Sequence, residues 1–284
     1  MASFNLYHET ATDDEIAAFC LTPNHISLSE ACYDNHVVRL SDEAVVKFGI
    51  GVKEEEAESQ RRAHELINNN IVRIPLVYRF FTKEQQGYIV MEYMQGRVME
   101  PVENSFLRNR IADILAHLAN IRGSMPGPLG GGVSCGILWS EHSEEPFLHT
   151  VKDMENWFNM RLKKQDPKLI FSESELVLCH LDIAPRNFLL LHDNSICLLD
   201  WASAGFYPRV FEVCTLRITH GLKDSFHEDV LKLGDLTEKE EFQITSMILA
   251  YSNSVRYHFG PIQTLHETNL VPVLEHQDDD PSDD

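Results

Sequence analysis

Four side chains with chemical potential fall inside one apolar stretch, "LCHLDIAPRNFLLLHDNSICLLDW", residues 178–201. They are His180, Asp182, Asn187 and Asp200. Leu176 to Cys179, Asn187 to Leu191 and Ile196 to Leu199 read as short buried strands, with His192-Asp193-Asn194-Ser195 as the turn between the last two. A hairpin of that kind makes Asn187 and Asp200 neighbours at its open end. An amide and a carboxylate side by side suit a hard, oxygen-preferring Mg²⁺ that keeps some waters and shares a nucleotide's phosphates. Asp182, slightly apart on the preceding loop, is placed to accept a proton from an attacking hydroxyl.

The spacing H-x-D-x-x-x-x-N is that of a phosphoryl-transfer loop, with Leu181 where an Arg is common. Such a reading makes demands on the elements upstream. A Lys has to sit on an N-terminal strand, and "AVVKFG" (44–49) offers Lys47 within a Val-rich run. A Glu on the following helix has to hold that Lys. Glu54, Glu55, Glu56, Glu58 and Glu65 compete. At about 100° per residue, Glu56 shares the face of Ala63 and Ile67, whereas Glu58 lies with Arg62 and Glu65. Glu56 is therefore the expected partner of Lys47. A nucleotide base needs exposed backbone groups at a chain crossing, and Tyr88 to Gly96, "YIVMEYMQG", supplies a strand end, an apolar wall and a glycine release.

The remaining elements frame these residues. Thr12-Asp13-Asp14-Glu15 is a capping box opening a short helix. His36–Leu40, Ala44–Phe48, Ile74–Phe81 and Gly87–Glu92 read as strands, and Lys53 to Asn69 as a helix. After Gly96 helices dominate: Ser105 to Ile121 with Gly123 as its cap, a stretch around Asp153 to Lys164, and 210–265. The class is α+β.

Composition narrows the partners. The net charge is -20, from 24 Lys+Arg against 44 Asp+Glu, which argues against a nucleic-acid binder. Six cysteines without CxxC spacing read as reduced thiols. The acidic N-terminus and the absence of a long apolar run predict a cytoplasmic protein that does not enter a membrane. The acidic 271–284 stretch reads as a disordered tail.

A rival chemistry is present in Gly132-Val133-Ser134-Cys135-Gly136, which matches the G-x-S-x-G elbow of serine hydrolases. The loop "MPGPLGGGV" before it offers no strand to deliver the Ser, so the phosphoryl-transfer reading is preferred.

Taken together, "AVVKFG", "EEEAES", "IVMEYMQG", "CHLDIAPRN" and "LLDWASAGFYPRVFE" resemble the aminoglycoside phosphotransferase/choline kinase-like family, especially its fungal branch. The resemblance runs from Leu28 to Leu216, and Asp200-Trp201 separates it from protein kinases with Asp-Phe-Gly. It implies a two-lobed, protein-kinase-like fold: a nucleotide-binding lobe over 1–94 and a catalytic and substrate lobe over 95–270. It implies ATP and Mg²⁺ as cofactors and a small hydroxylated acceptor. Lys47 would contact the α- and β-phosphates with Glu56 orienting it. The backbone of Glu92 and Met94 would hold the adenine with Met91 behind it. Asp182 would be the catalytic residue, Asn187 and Asp200 the metal ligands, and His180 a brace.

Acceptor contacts are expected around Trp139, Glu155, Trp157 and Tyr207, whose acidic and aromatic groups suit an amine-bearing compound. One departure stands out: the Leu28–Leu40 stretch that should cover the phosphates has no glycine and carries Glu30 and Asp34. It leaves a kinase-like pseudoenzyme, binding nucleotide or a partner without transfer, as the alternative.

Overall fold

A computed structural model describes residues 6–23, 25–29, 35–99, 105–139, 146–220 and 236–257. Expectations for Glu30, Asp34, residues 221–235 and 258–265 of the helical 210–265 stretch, and the 271–284 tail lie outside these residues.

The first part is a five-stranded antiparallel sheet in the order β1-β2-β3-β5-β4. Its strands are β1 (Ile26–Ser27), β2 (His36–Arg39), β3 (Ala44–Gly49), β4 (Val77–Lys83) and β5 (Gln86–Glu92). Strand alternation divides its side chains between two faces. Val38, Val46, Phe48, Tyr88 and Val90 pack with Ile16, Ala17 and Cys20 of α1 (Asp13–Cys20). Val45, Ile89 and Met91 pack on the other face with Ala57 of α2 (Glu54–Leu66). The Thr12 capping box forms as expected. The α2 helix stops short of Asn69, because Ile67 turns extended and the Asn68 side chain accepts the Asn70 N–H.

The chain then passes through β6 (Gly96–Val98) into α3 (Ser105–Leu118). Gly123 does not cap that helix. A Cβ there would lie 2.2 Å from the Phe206 ring, so the glycine permits close packing instead. After β7 (Gly127–Pro128) come α4 (Val151–Met160), β8 (Leu176–Cys179), β9 (Phe188–Leu191), β10 (Ile196–Leu198) and β11 (Gly205–Pro208). Among the described residues α5 (Val210–His220) and α6 (Glu238–Arg256) follow.

Two small antiparallel sheets result, β10-β9-β6 and β7-β11-β8. Ile111, Leu115 and Leu118 of α3 pack on Phe188, Ile196, Leu198 and Trp201. A second core gathers Trp139, Trp157, Phe158, Phe171, Tyr207 and Phe211 against Met247 of α6. The architecture is α+β. Among the described residues no helix is long and apolar enough to cross a membrane.

Candidate active site

Strand parity decides where Lys47 points. In β3, Val46 and Phe48 face α1, so Val45 and Lys47 face α2. Glu56, in the first turn of α2, meets it: Lys47 Nζ donates to Glu56 Oε1 at 2.5 Å. The same ammonium donates to Asp200 Oδ1 at 3.1 Å. Glu56 is buried, whereas the Asp200 side chain keeps 40% of its surface exposed. One cation thus serves two carboxylates.

Burial works against the Lys47 charge, but Asp200 and Glu56 outweigh it and hold the ammonium above the usual lysine range. For Glu56 burial is the larger influence and raises its carboxyl, with Lys47 only partly offsetting it. Asp200 goes the other way: burial raises it, and Lys47, through charge and hydrogen bond, brings it below the ordinary value.

Asp182 follows β8 on a loop held from beneath. Leu181 has φ 63°, an uncommon conformation for a bulky side chain, and such strain persists only where neighbours enforce it. Glu212 of α5 enforces it by accepting from His180 N–H (2.5 Å) and Leu181 N–H (3.1 Å). Burial pushes the Glu212 carboxyl up to about 7. His180 is fully buried; burial lowers its pKa and keeps the ring neutral. Its Nε2–H donates to Leu199 C=O at 3.0 Å, and its Nδ1 accepts from Asp182 N–H at 3.3 Å. Trp201 packs edge-on against the ring at 4.8 Å.

Asn187 ends a 3₁₀ turn, Pro185–Asn187, rather than opening β9, because Pro185 starts that turn. Its Nδ2 donates to the backbone and carboxylate oxygens of Asp182, both at 2.8 Å. Leu199 N–H donates to Asn187 C=O, so the hairpin does bring the Asn187 and Asp200 ends together. Asp200 itself sits at φ 65°, which turns its carboxylate out of the strand; Asp tolerates that region better than most residues.

At the end of β5, Glu92 N–H donates to Leu76 C=O and Tyr93 N–H to Glu43 C=O. Met94 N–H has no partner among the described residues, leaving it free for a ligand acceptor. Met91 is buried behind this edge, where its Sδ accepts from Gln60 Nε2 at 3.3 Å. The Glu92 side chain turns toward Arg73 and Leu76 N–H.

The donor set fits a hard divalent cation. Asp200 and Asn187 offer oxygen ligands beside an excess of negative charge. Among the described residues no cluster of three or more His, Cys, Asp or Glu forms a metal site, so phosphate and water would have to supply the other ligands.

The glycine-rich 127–136 stretch acts as a strap. Leu129 N–H donates to Ala204 C=O, Gly130 N–H to Ser59 Oγ, and Arg62 Nη1 to Leu129 C=O, each at 2.9 Å. It ties α2 to the residues after Asp200. A Cβ at Gly130 would stand 2.0 Å from the Glu55 carbonyl oxygen, so only glycine fits.

One expectation is corrected here, and the rejection of the serine elbow is supported. Trp139, Glu155, Trp157 and Tyr207 do not line an open acceptor site, because all four are buried. The aromatic three belong to the second core, and Glu155 accepts from Phe171 N–H and Ser172 N–H. Ser134 is no exposed nucleophile either. It is buried, and its Oγ bonds the Tyr207 hydroxyl at 3.1 Å.

Glu212 and Arg186 were not singled out in the sequence. Glu212 left a signal, as a lone carboxylate among the apolar residues of "RVFEVCTL". Arg186 left none.

Comparison with known proteins agrees with this geometry. The profile of the phosphotransferase enzyme family, APH, matches residues 26–238. Similar solved structures include aminoglycoside phosphotransferase APH(4)-Ia, at TM-score 0.53 and 14% identity over 84% of this chain and 87% of that one. Another is the GDP complex of an aminoglycoside 2'-phosphotransferase-IIIa mutant, at 0.50 and 15% over 84% and 85%. A third is a putative fructosamine-3-kinase from Haemophilus somnus 129PT, at 0.50 and 14% over 82% and 85%. No curated protein sequence matches. With the family profile spanning most of its length, this chain belongs to the phosphotransferase enzyme family, as a kinase-type enzyme.

Proposed function

We propose that the protein transfers the γ-phosphate of ATP, with Mg²⁺, to a hydroxyl of a small molecule. The observation that carries this reading is the bridge of Lys47 to both Glu56 and Asp200, which joins the sheet, α2 and the catalytic hairpin at one point. In this reading Lys47 grips the α- and β-phosphates while Glu56 fixes its position. The free Met94 N–H and the Glu92 backbone hold the adenine edge, with Met91 behind. Asn187 and Asp200 would hold Mg²⁺, which supplies charge neutralisation at the phosphates when bound. Asp182 orients the acceptor hydroxyl and takes up its proton late in a loose transition state. His180 and Glu212 keep the loop in its strained shape. Most of the acceleration then comes from positioning and charge.

The finer architecture follows from the same reading: a nucleotide lobe over 1–94, a catalytic and substrate lobe over 95–270 in the protein-kinase-like manner, and an acidic tail beyond. Complexes of the APH(4)-Ia neighbour with ADP and hygromycin B support a nucleotide together with a small hydroxylated acceptor. An amine-bearing acceptor is compatible with the acidic chain.

Thermal unfolding with and without Mg²⁺-ATP tests the proposal. Ligand at about 100 times its Kd stabilises a fold by roughly 2.7 kcal/mol. That shift should appear in the wild type and vanish in Asp200→Ala. No shift in the wild type rejects the reading. A shift without phosphoryl transfer to any of a panel of hydroxylated acceptors supports the pseudoenzyme instead, for which the glycine-free 28–40 stretch is the motive.

A further inference from the structure

The catalytic loop carries one cation that the reading above does not employ. Arg186 lies four residues after Asp182, in the turn that ends on Asn187, and its side chain is 56% exposed. Its Nη2 sits between both carboxylate oxygens of Asp182, at 2.5 Å from Oδ1 and 2.7 Å from Oδ2. Asn187 Nδ2 occupies Oδ2 as well, at 2.8 Å. The rest of the guanidinium has no other partner among the described residues.

For proton uptake this arrangement is a resting one. A carboxylate that receives a proton from a hydroxyl needs an oxygen turned toward that hydroxyl, and here both oxygens already accept from Arg186. The pair is exchangeable, because Arg186 is more than half exposed and water competes with the carboxylate for its guanidinium. A terminal phosphate is a better partner: it carries more charge than a carboxylate and three oxygens that match the donor fork of an arginine.

We propose that Arg186 is a shuttling cation, resting on Asp182 as seen here and moving onto the terminal phosphate of a bound nucleoside triphosphate, which opens Asp182 to the acceptor hydroxyl. This inference rests on the phosphotransfer reading and adds an order to it. The triphosphate binds first, the acceptor engages Asp182 second, and the diphosphate product lets Arg186 return. A nucleoside diphosphate, lacking the terminal phosphate, does not draw the guanidinium away. Water is then kept from an active Asp182 until transfer can occur.

The test is a double-mutant cycle read by binding, with AMP-PNP and ADP, each with Mg²⁺, as probes in titration calorimetry. Asp182→Asn weakens the resting pair and frees Arg186, so AMP-PNP should tighten about tenfold while ADP changes less than about twofold. In the Arg186→Gln background the same Asp182→Asn change should leave AMP-PNP within about twofold. Arg186→Lys, which keeps the charge without the fork, should retain part of the gain. Both side chains are at least partly exposed, and circular dichroism of each variant establishes that it is folded. An equal gain in both backgrounds would mean that removal of a negative charge is the whole effect, and it overturns the shuttle. A gain shared by ADP overturns it too. If the wild type binds neither nucleotide, the phosphotransfer reading itself falls and takes the shuttle with it.

Discussion

Lys47 Nζ and Asp200 Oδ1 stand 3.1 Å apart although their residues lie 153 positions apart in the chain. With Glu56 on its other side, the lysine is the only cation bonded to either carboxylate among the described residues. Lys47→Met should therefore do more than weaken nucleotide binding. It leaves the buried Glu56 facing Asp200 without a cation, and breaking a buried pair from one side typically costs about 3–5 kcal/mol. Adding Glu56→Gln should recover most of that loss. Urea unfolding of the two variants measures it, and an unchanged midpoint for Lys47→Met would contradict the geometry.

Glu212 predicts a pH dependence. Burial raises its carboxyl from an ordinary 4.5 to about 7. A carboxyl raised on folding binds its proton more tightly in the folded state. Its contribution is complete below about 4.5 and is lost as pH climbs through about 7, at up to about 1.4 kcal/mol per unit. Glu212→Gln should flatten the stability profile in that window. Glu240 works in the opposite sense: the hydrogen bond from Arg209 lowers it to about 2, so its contribution is present above 4.5 and disappears on acidification toward 2. Denaturant midpoints from pH 2 to 8 for Glu212→Gln and Arg209→Gln separate the two windows.

The strap makes a positional prediction. Gly130→Ala puts a methyl group 2.0 Å from the Glu55 carbonyl oxygen, so backbone has to move, at a cost of roughly 1–3 kcal/mol or more. Gly131→Ala meets nothing within 4 Å and suffers only from its φ of +80°, about 1 kcal/mol. Because Gly130 abuts the helix that bears Glu56, Gly130→Ala should also diminish the stabilisation by Mg²⁺-ATP, and Gly131→Ala should not. Equal behaviour of the two would remove the strap from the account of the site.

Tyr207→Phe tests the assignment of that residue to the core. Its hydroxyl bonds Ser134 in a fully buried setting, so its loss should cost about 1 kcal/mol of stability. Turnover per folded molecule and the acceptor KM should stay as they are. A raised KM with unchanged stability would return Tyr207 to the acceptor site.

The legible parts of this site were those governed by short-range geometry. Lys47 stood out as a polar residue inside a Val-rich run, and helix angle picked Glu56 from five candidates; both signals operate over a few residues. The hairpin joining Asn187 to Asp200 was readable for the same reason. Trp139, Trp157 and Tyr207 misled because aromatic side chains suit a binding pocket and a core equally well, and only tertiary packing tells them apart. The two-residue β7 was invisible because its pairing with β11 joins Gly127 to Phe206 far along the chain. Arg186 carries no periodicity at all, so only coordinates reveal what it touches.

The β10-β9-β6 sheet has a consequence for kinetics. Only three residues lie between the end of β5 and β6, and β6 pairs with β9, which starts immediately after Asn187. Arg73, ahead of β4, is bonded through its N–H and C=O to Ile196 and Leu198 of β10. The edge that would receive the base and the turn that would receive the metal are thus stitched to one seam from two directions. Such a seam resists gaping. Departure of spent nucleotide should then be timed by side chains letting go rather than by large parts of the molecule swinging apart, and its off-rate should depend weakly on solvent viscosity.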